Sequence, residues 1–199
     1  MLATASSSES IVDNVAENQA TFRAVMDAMA RPGEIKTLRN IEAPAPLMAG
    51  TAAIIRSLAD YETSVWLDAM LAAEPAVAAW IRFQTGAPVV TDPQQAAFAL
   101  VGNGHELPDF AAFSSGSADY PDRSVTLVVQ IARFSGSAFC LAGPGIQAER
   151  SLAAEPLPDD FVERWANNRA LFPRGIDLLL VADGRVAALP RTAGVARRD

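Results

Sequence analysis

Apolar positions recur along the chain in two periods, and the switches between them mark out the elements. At 176–182 the apolar run is almost continuous and of strand length. Asp183-Gly184 follows as a dipeptide that favours a type I′ turn, and 185–189 alternates on the way back. The stretch 171–192 therefore predicts a hairpin with one strand buried on both faces, which requires helices on either side of its sheet. With Ala182 facing Arg185 across the turn, Asp177 stands opposite Pro190. The Arg191 side chain then falls on the other face of the ribbon, and a simple ion pair between Asp177 and Arg191 is not expected unless a bulge intervenes.

Helical period governs 14–30, where Val15, Phe22, Val25, Met26 and Met29 share a face and Asn14 with Glu17 resembles a capping box. Arg31-Pro32-Gly33 ends that helix, because proline cannot continue the ladder and disfavours helix at the residue before it. A short strand is predicted at 34–38, a largely buried helix at 47–59, a strand at 64–67 and a helix at 75–85. That last helix has Pro75 at its start and Gly86 as its cap. Strands follow at 87–90 and 97–101, then a short helix at 107–113 and a long loop at 114–124. Residues 125–132 and 138–142 predict a second hairpin around Ser135-Gly136, and 160–171 a last helix with Phe161, Val162 and Trp165 together. Alternating helices and strands imply parallel pairing, and the hairpins add antiparallel strands. The expected fold is α/β, a three-layer α/β/α arrangement around a mixed sheet. A loose serine-rich segment at 1–12 would precede a single α/β domain at 13–199.

Composition narrows the chemistry. Half of the residues are apolar and one fifth charged, and the net charge is -7 without any cluster of cations, so nucleic-acid binding is not expected. No apolar run approaches the roughly 18 residues that span a bilayer, and MLATASSSES lacks a basic start and an apolar core, which predicts a cytoplasmic protein and no membrane association. One histidine and one cysteine cannot form a Cys/His zinc site or a cysteine-ligated cluster within the chain, so no metal site is expected. Cys140, in a strand-like stretch, reads as a buried small apolar residue. Lys36 is the sole lysine. No Walker A loop exists, and a Schiff-base cofactor would depend on Lys36 alone.

Catalytic constellations are equally sparse. His105 with Ser114, Ser115 or Ser117 suggests a triad only on paper, since no Gly-x-Ser-x-Gly elbow occurs, and no catalytic residue is assigned. The candidates for binding are arginines suited to bidentate anion contacts, Arg31, Arg82, Arg174 and Arg191, with Asp177 at the hairpin rim. Gly33, Gly143 and Gly145 join them, because glycine lets backbone approach a phosphate, although Pro144 removes one amide donor from such a nest. Solvated rim residues and plain turns are the alternatives for all eight.

Four phrases, TFRAVMDAMARPGEI at 21–35, IRFQTGAPVV at 81–90, AGPGI at 142–146 and FPRGIDLLLVADGRVAALPRT at 172–192, resemble the PhnH subunit family of bacterial carbon-phosphorus lyase, in the same order over nearly the whole chain. The resemblance implies a fold similar to the pyridoxal-phosphate-dependent transferases without that cofactor, and a homodimer. It also implies a core complex with PhnG, PhnI and PhnJ, which converts alkylphosphonate and ATP to a ribose phosphonate triphosphate before the carbon-phosphorus bond is broken. The radical chemistry belongs to PhnJ, in keeping with the missing cluster ligands here. On this reading the chain is an accessory or structural subunit. The alternative is a subunit with its own phosphonate- or nucleotide-binding or transferase site built from arginines at strand ends.

Overall fold

A computed structural model describes residues 5–198, so part of the serine-rich start, residues 1–4, lies outside the described residues. The first helix, α1, runs Ala5–Ala30, well beyond the predicted start at Asn14. Glu17 is therefore no cap. It pairs at 2.9 Å with Arg56, which also donates at 3.0 Å to Asn18 and so ties α1 to α2, Ala49–Leu58. The face of α1 that is buried carries Thr21, Val25 and Ala28, whereas Val15, Phe22 and Met26 stay half exposed. The apolar stripe is wider than the surface it covers.

Among the described residues ten strands form two sheets. The larger holds seven: β1 Lys36–Thr37, β2 Val65–Leu67, β3 Val89–Val90, β4 Phe98–Val101, β5 Thr126–Gln130, β8 Asp177–Ala182 and β9 Arg185–Leu189, in the order β1-β9-β8-β5-β4-β2-β3. Strands β3, β2, β4, β5 and β8 are mutually parallel, and β9 runs against both of its neighbours. The smaller sheet is antiparallel, β10-β6-β7, made of β6 Arg133–Ala142, β7 Arg150–Glu155 and β10 Gly194–Arg197.

The mixed α/β expectation holds, and so does the closing hairpin: Asp183 and Gly184 both have positive φ, and Ala182 faces Arg185. Strand β8 is buried throughout apart from its first residue, with Leu178 and Leu180 packed to one side and Leu179 and Val181 to the other. The layers differ from the prediction. One side of the large sheet is covered by α1, α2, the one-turn α3, Ala69–Ala72, and α4, Pro75–Thr85, as expected. On the other side the small sheet and α5, Phe161–Ala170, share the task.

The second predicted hairpin is corrected with this. β5 pairs in parallel with β4 and β8, and β6 belongs to the other sheet. The β5 run, VTLVVQI, is apolar apart from Thr126 and Gln130, as suits a strand covered on both faces. Ser135-Gly136 falls inside β6, at a register irregularity between Arg133 and Ala138. The predicted short helix at 107–113 shrinks to one 3-10 turn, Phe110–Ala112.

Candidate functional site

The sequence reading expected no direct Asp177–Arg191 ion pair, and the structure corrects this because extrapolated strand geometry fails at the end of the hairpin. Asp177 does stand beside Pro190, but the strand stops there and a turn closes from the Ala193 amide to the Pro190 carbonyl at 2.8 Å. Alternation no longer governs Arg191, and its side chain swings back onto Asp177. Asp177 Oδ1 accepts from the Arg191 amide at 2.7 Å and from its Nε at 3.2 Å, while Oδ2 takes the Nη2 donor. The same guanidinium donates to the Pro121 carbonyl at 2.8 Å and to Ser124 Oγ at 2.6 Å. Both side chains are only 14% exposed. Arg191 thus spends its donor fork on the protein itself, fastening the 114–124 loop to the sheet rim.

Gly33 and Gly145 are both tight packing positions, Gly33 against Leu141 and Arg150 and Gly145 against Ala30 and Pro32. A Cβ on Gly33 would stand 2.7 Å from Leu141 and one on Gly145 would run into the Ala30 carbonyl, so the helix stop and the Gly-Pro-Gly turn fit only as glycines. Gly143 lies against the Thr192 carbonyl. Arg150, which the sequence reading passed over, donates to the Pro32 carbonyl at 3.2 Å and pairs with Glu34 at 3.2 Å, placing a cation at the negative end of α1. Glu34 in turn meets Lys36 at 2.7 Å. That hydrogen bond holds the Glu34 carboxyl below its ordinary value. No local sequence signal flags Arg150, because only the fold brings β7 to the end of α1.

Gly33, Gly143, Asp177 and Arg191 gather near the amino ends of the parallel strands, with Arg31 and Arg174 exposed in the adjoining segments. Arg31 makes a loose 3.5 Å pair with Asp27. Arg82 is apart, exposed on α4 beside the opposite edge strand, β3. His105 and the serines do not meet. His105 is exposed in a turn beyond the carboxyl end of β4, whereas Ser114 and Ser117 serve their own loop before the amino end of β5. Cys140, read from the sequence as buried, is only partly buried in β6, and a hydrogen bond with Glu149 pushes its thiol up.

In open parallel sheets ligands settle at the carboxyl ends of strands, where the strand order reverses. Here that crevice, between β2 and β4, is closed. Buried Asp68 accepts from the Leu71 amide at 2.9 Å and the Gly102 amide at 2.7 Å. Gln130 accepts from the Met48 amide at 2.7 Å and donates to the Pro46 and Gly102 carbonyls. Every carbonyl and amide at the reversal point that these side chains reach is already satisfied.

Open space lies instead around the small sheet. One cleft of about 520 Å³ opens between Trp165 and Arg169 of α5, Pro144 and the 192–195 segment, with half of the Phe172 side chain or more exposed at its rim. A second, of about 540 Å³, lies among Arg133, Glu155, Asp159, Phe161, Arg197 and Arg198.

Against this geometry, residues 9–196 match the model of one family, bacterial phosphonate metabolism protein (PhnH). The chain belongs to this family. It is 43% identical over 192 residues, 96% of either chain, to the alpha-D-ribose 1-methylphosphonate 5-triphosphate synthase subunit PhnH of Rhizobium meliloti. A second relative is the putative C-P lyase subunit protein HtxG of Stutzerimonas stutzeri, 29% identical over 178 residues, which are 89% of this chain and 85% of that one. The matched residues include the whole large sheet and all of the small one except Arg197, the last residue of β10. The four phrases that carry the resemblance fall on α1 and its stop, on α4 and β3, on the turn after β6 and on the closing hairpin.

Proposed function

We propose that this chain is an accessory subunit of a carbon-phosphorus lyase assembly, supporting the conversion of alkylphosphonate and ATP to a ribose phosphonate triphosphate and the later bond cleavage. The observation that carries this reading is the 43% identity, over 96% of both chains, to a subunit of the synthase. What supports the accessory role is how the candidate residues are used: Arg191, Asp177, Gly33, Gly143 and Gly145 are engaged in packing and internal bonds. Lys36, the sole lysine, is bound to Glu34 on a two-residue edge strand, so the residues present do not fit a Schiff-base site.

The finer architecture goes with this reading. The seven-stranded sheet with a single antiparallel member, covered by helices on one face, supports kinship with the pyridoxal-phosphate-dependent transferase fold in a form without that cofactor. The assembly is read as cytoplasmic; among the described residues no helix is long and apolar enough to cross a membrane. Its partners are a second copy of the chain and the PhnG, PhnI and PhnJ subunits. Exposed Arg31 and Arg174 face those partners: an ion pair as open as Arg31 with Asp27 is worth little in the free chain and exchanges readily for a partner's carboxylate.

The test is co-expression with the partner subunits and purification through one of them. The chain is expected to co-purify, and the double variant Arg31→Glu, Arg174→Glu to be depleted from the assembly at unchanged thermal stability. Assembly of the other subunits without this chain would overturn the proposal.

A further inference from the structure

We infer that the cleft of about 520 Å³ between α5 and β10 receives an extended, acidic segment of a partner protein, which adds to β10 as a further strand and sets a carboxylate on Arg169. The inference names a surface that the subunit reading leaves open, and it stands on the cleft alone.

The backbone supplies the first half. β10 ends the order β10-β6-β7, so one of its edges has no strand beside it. Gly194 and Ala196 face Ala142 and Cys140 of β6, and the Arg198 amide donates to the Ala138 carbonyl. Bonded and non-bonded pairs alternate along an antiparallel ladder, so residues 194, 196 and 198 turn their amides and carbonyls toward β6. Val195, between them, turns both of its groups to the open edge. Neither has a hydrogen-bond partner among the described residues, and Val195 lines the cleft. An unpaired donor and acceptor beside free volume form a template for one more strand.

The side chains say what that strand carries. Arg169 donates from Nε to the Thr192 carbonyl at 3.4 Å, which holds the guanidinium at the cleft wall. It has no carboxylate partner among the described residues, and no aspartate or glutamate lines the cleft. An unmatched cation in an acid-free lining selects an acidic occupant and rejects a basic one, and its donor fork matches a carboxylate. The remaining walls are mostly apolar. Trp165 is wholly buried, with its indole fixed to the Ala193 carbonyl at 2.8 Å, while Phe172 stands 61% exposed at the rim. Such a rim is left to be covered by an aliphatic side chain of the occupant. Backbone pairing at Val195 then provides attachment, and Arg169 with Phe172 provides the choice of sequence.

The test is titration of the isolated full chain, at low salt, with blocked heptapeptides of serine and threonine that carry one leucine and one glutamate at every spacing. At least one is expected to saturate below about 1 mM and to slow hydrogen exchange at the Val195 amide. Replacing its glutamate with lysine should weaken binding by at least about tenfold, and Arg169→Glu should reverse that preference. Arg169→Gln, which keeps a donor for the Thr192 carbonyl, should abolish the preference without unfolding the edge, and Arg82→Ala should change nothing. Absence of saturation across the set, unchanged preference in both Arg169 variants, or full affinity in an N-methylated peptide would each overturn the assignment. So would 4-methylpentanoate binding as tightly as the peptide, which would make the cleft a small-carboxylate site. Concentration-dependent protection of Val195 without any peptide would give the cleft to a second copy of the chain and overturn it equally. None of these outcomes touches co-purification, so the two proposals fall separately.

Discussion

The two sheets of this protein solve opposite problems. In the larger, strands β4, β5 and β8 lie side by side with Leu100, Leu127, Val128, Leu178 and Leu180 wholly buried, and both faces are covered. In the smaller, β10 is intermediate to exposed along its length and both measured clefts border it. The large sheet leaves its strand-order reversal filled by Asp68 and Gln130, so it acts as a frame. The small sheet borders the free volume. The open space of the molecule thus lies beside the layer packed on top and not at the strand-order reversal.

If that division is right, core truncations should separate the sheets sharply. Leu180→Ala opens a cavity in the most enclosed strand and is expected to cost about 3–5 kcal/mol in urea unfolding. Val195→Ala, in the partly exposed β10, is expected to cost about 1 kcal/mol or less. Equal costs would break the distinction between frame and functional layer.

The next largest effect tests the rim of the frame. Arg191→Ala leaves the nearly buried Asp177 carboxylate without its cation and is expected to cost about 3 kcal/mol. It also frees the 114–124 loop, so hydrogen exchange at Val125 and Gly175, whose amides bond to Ser114 and Ser115, should accelerate. Arg191→Lys is expected to retain little of the difference, because an ammonium cannot reproduce contacts to Asp177, Ser124 and Pro121 together. A lysine variant as stable as the parent would mean that charge alone, and not the fork, holds the loop.

How legible these regions are in the sequence follows the same line. The frame is readable: the apolar run at 176–182, the Asp-Gly turn and Pro75 with Gly86 each state a local rule that the fold obeys. The small sheet is not. β7 reads RSLAAE and β10 GVAR, short and weakly patterned, and both depend on β6 to be strands at all. Assigning β6 to a hairpin with β5 then followed naturally, since local pattern says nothing of which sheet a strand joins. The candidate site was half readable. Arg191 and Asp177 were visible as a polar rim, but their pairing depended on the strand ending at Pro190, and Arg133 acquires its place only through its register with Glu155. Residues from three distant segments converge in the cleft, and periodicity carries no such information.

The smallest expected effect lies at the seam between the sheets, where Glu34, just before β1, meets Arg150 of β7 and Lys36 of β1. The Lys36 hydrogen bond lowers the Glu34 carboxyl below its ordinary 4.5. A carboxyl depressed in the folded state contributes stability at pH above its unfolded value, and that contribution is lost as pH falls through the folded value. Glu34 should therefore matter little to stability changes above pH 5 and should weaken the seam only in acid, below 4.5. Carbonyl-detected titration of Glu34 is expected to give a midpoint under 4.5 that moves up in Lys36→Ala, with a smaller upward move in Arg150→Ala, because the hydrogen bond outweighs the more distant charge. The seam is open to solvent, so neither substitution should approach the cost of Arg191→Ala. If Arg150→Ala instead loosened the small sheet as a whole, the two layers would be held together by this ion cluster and not by their shared apolar face.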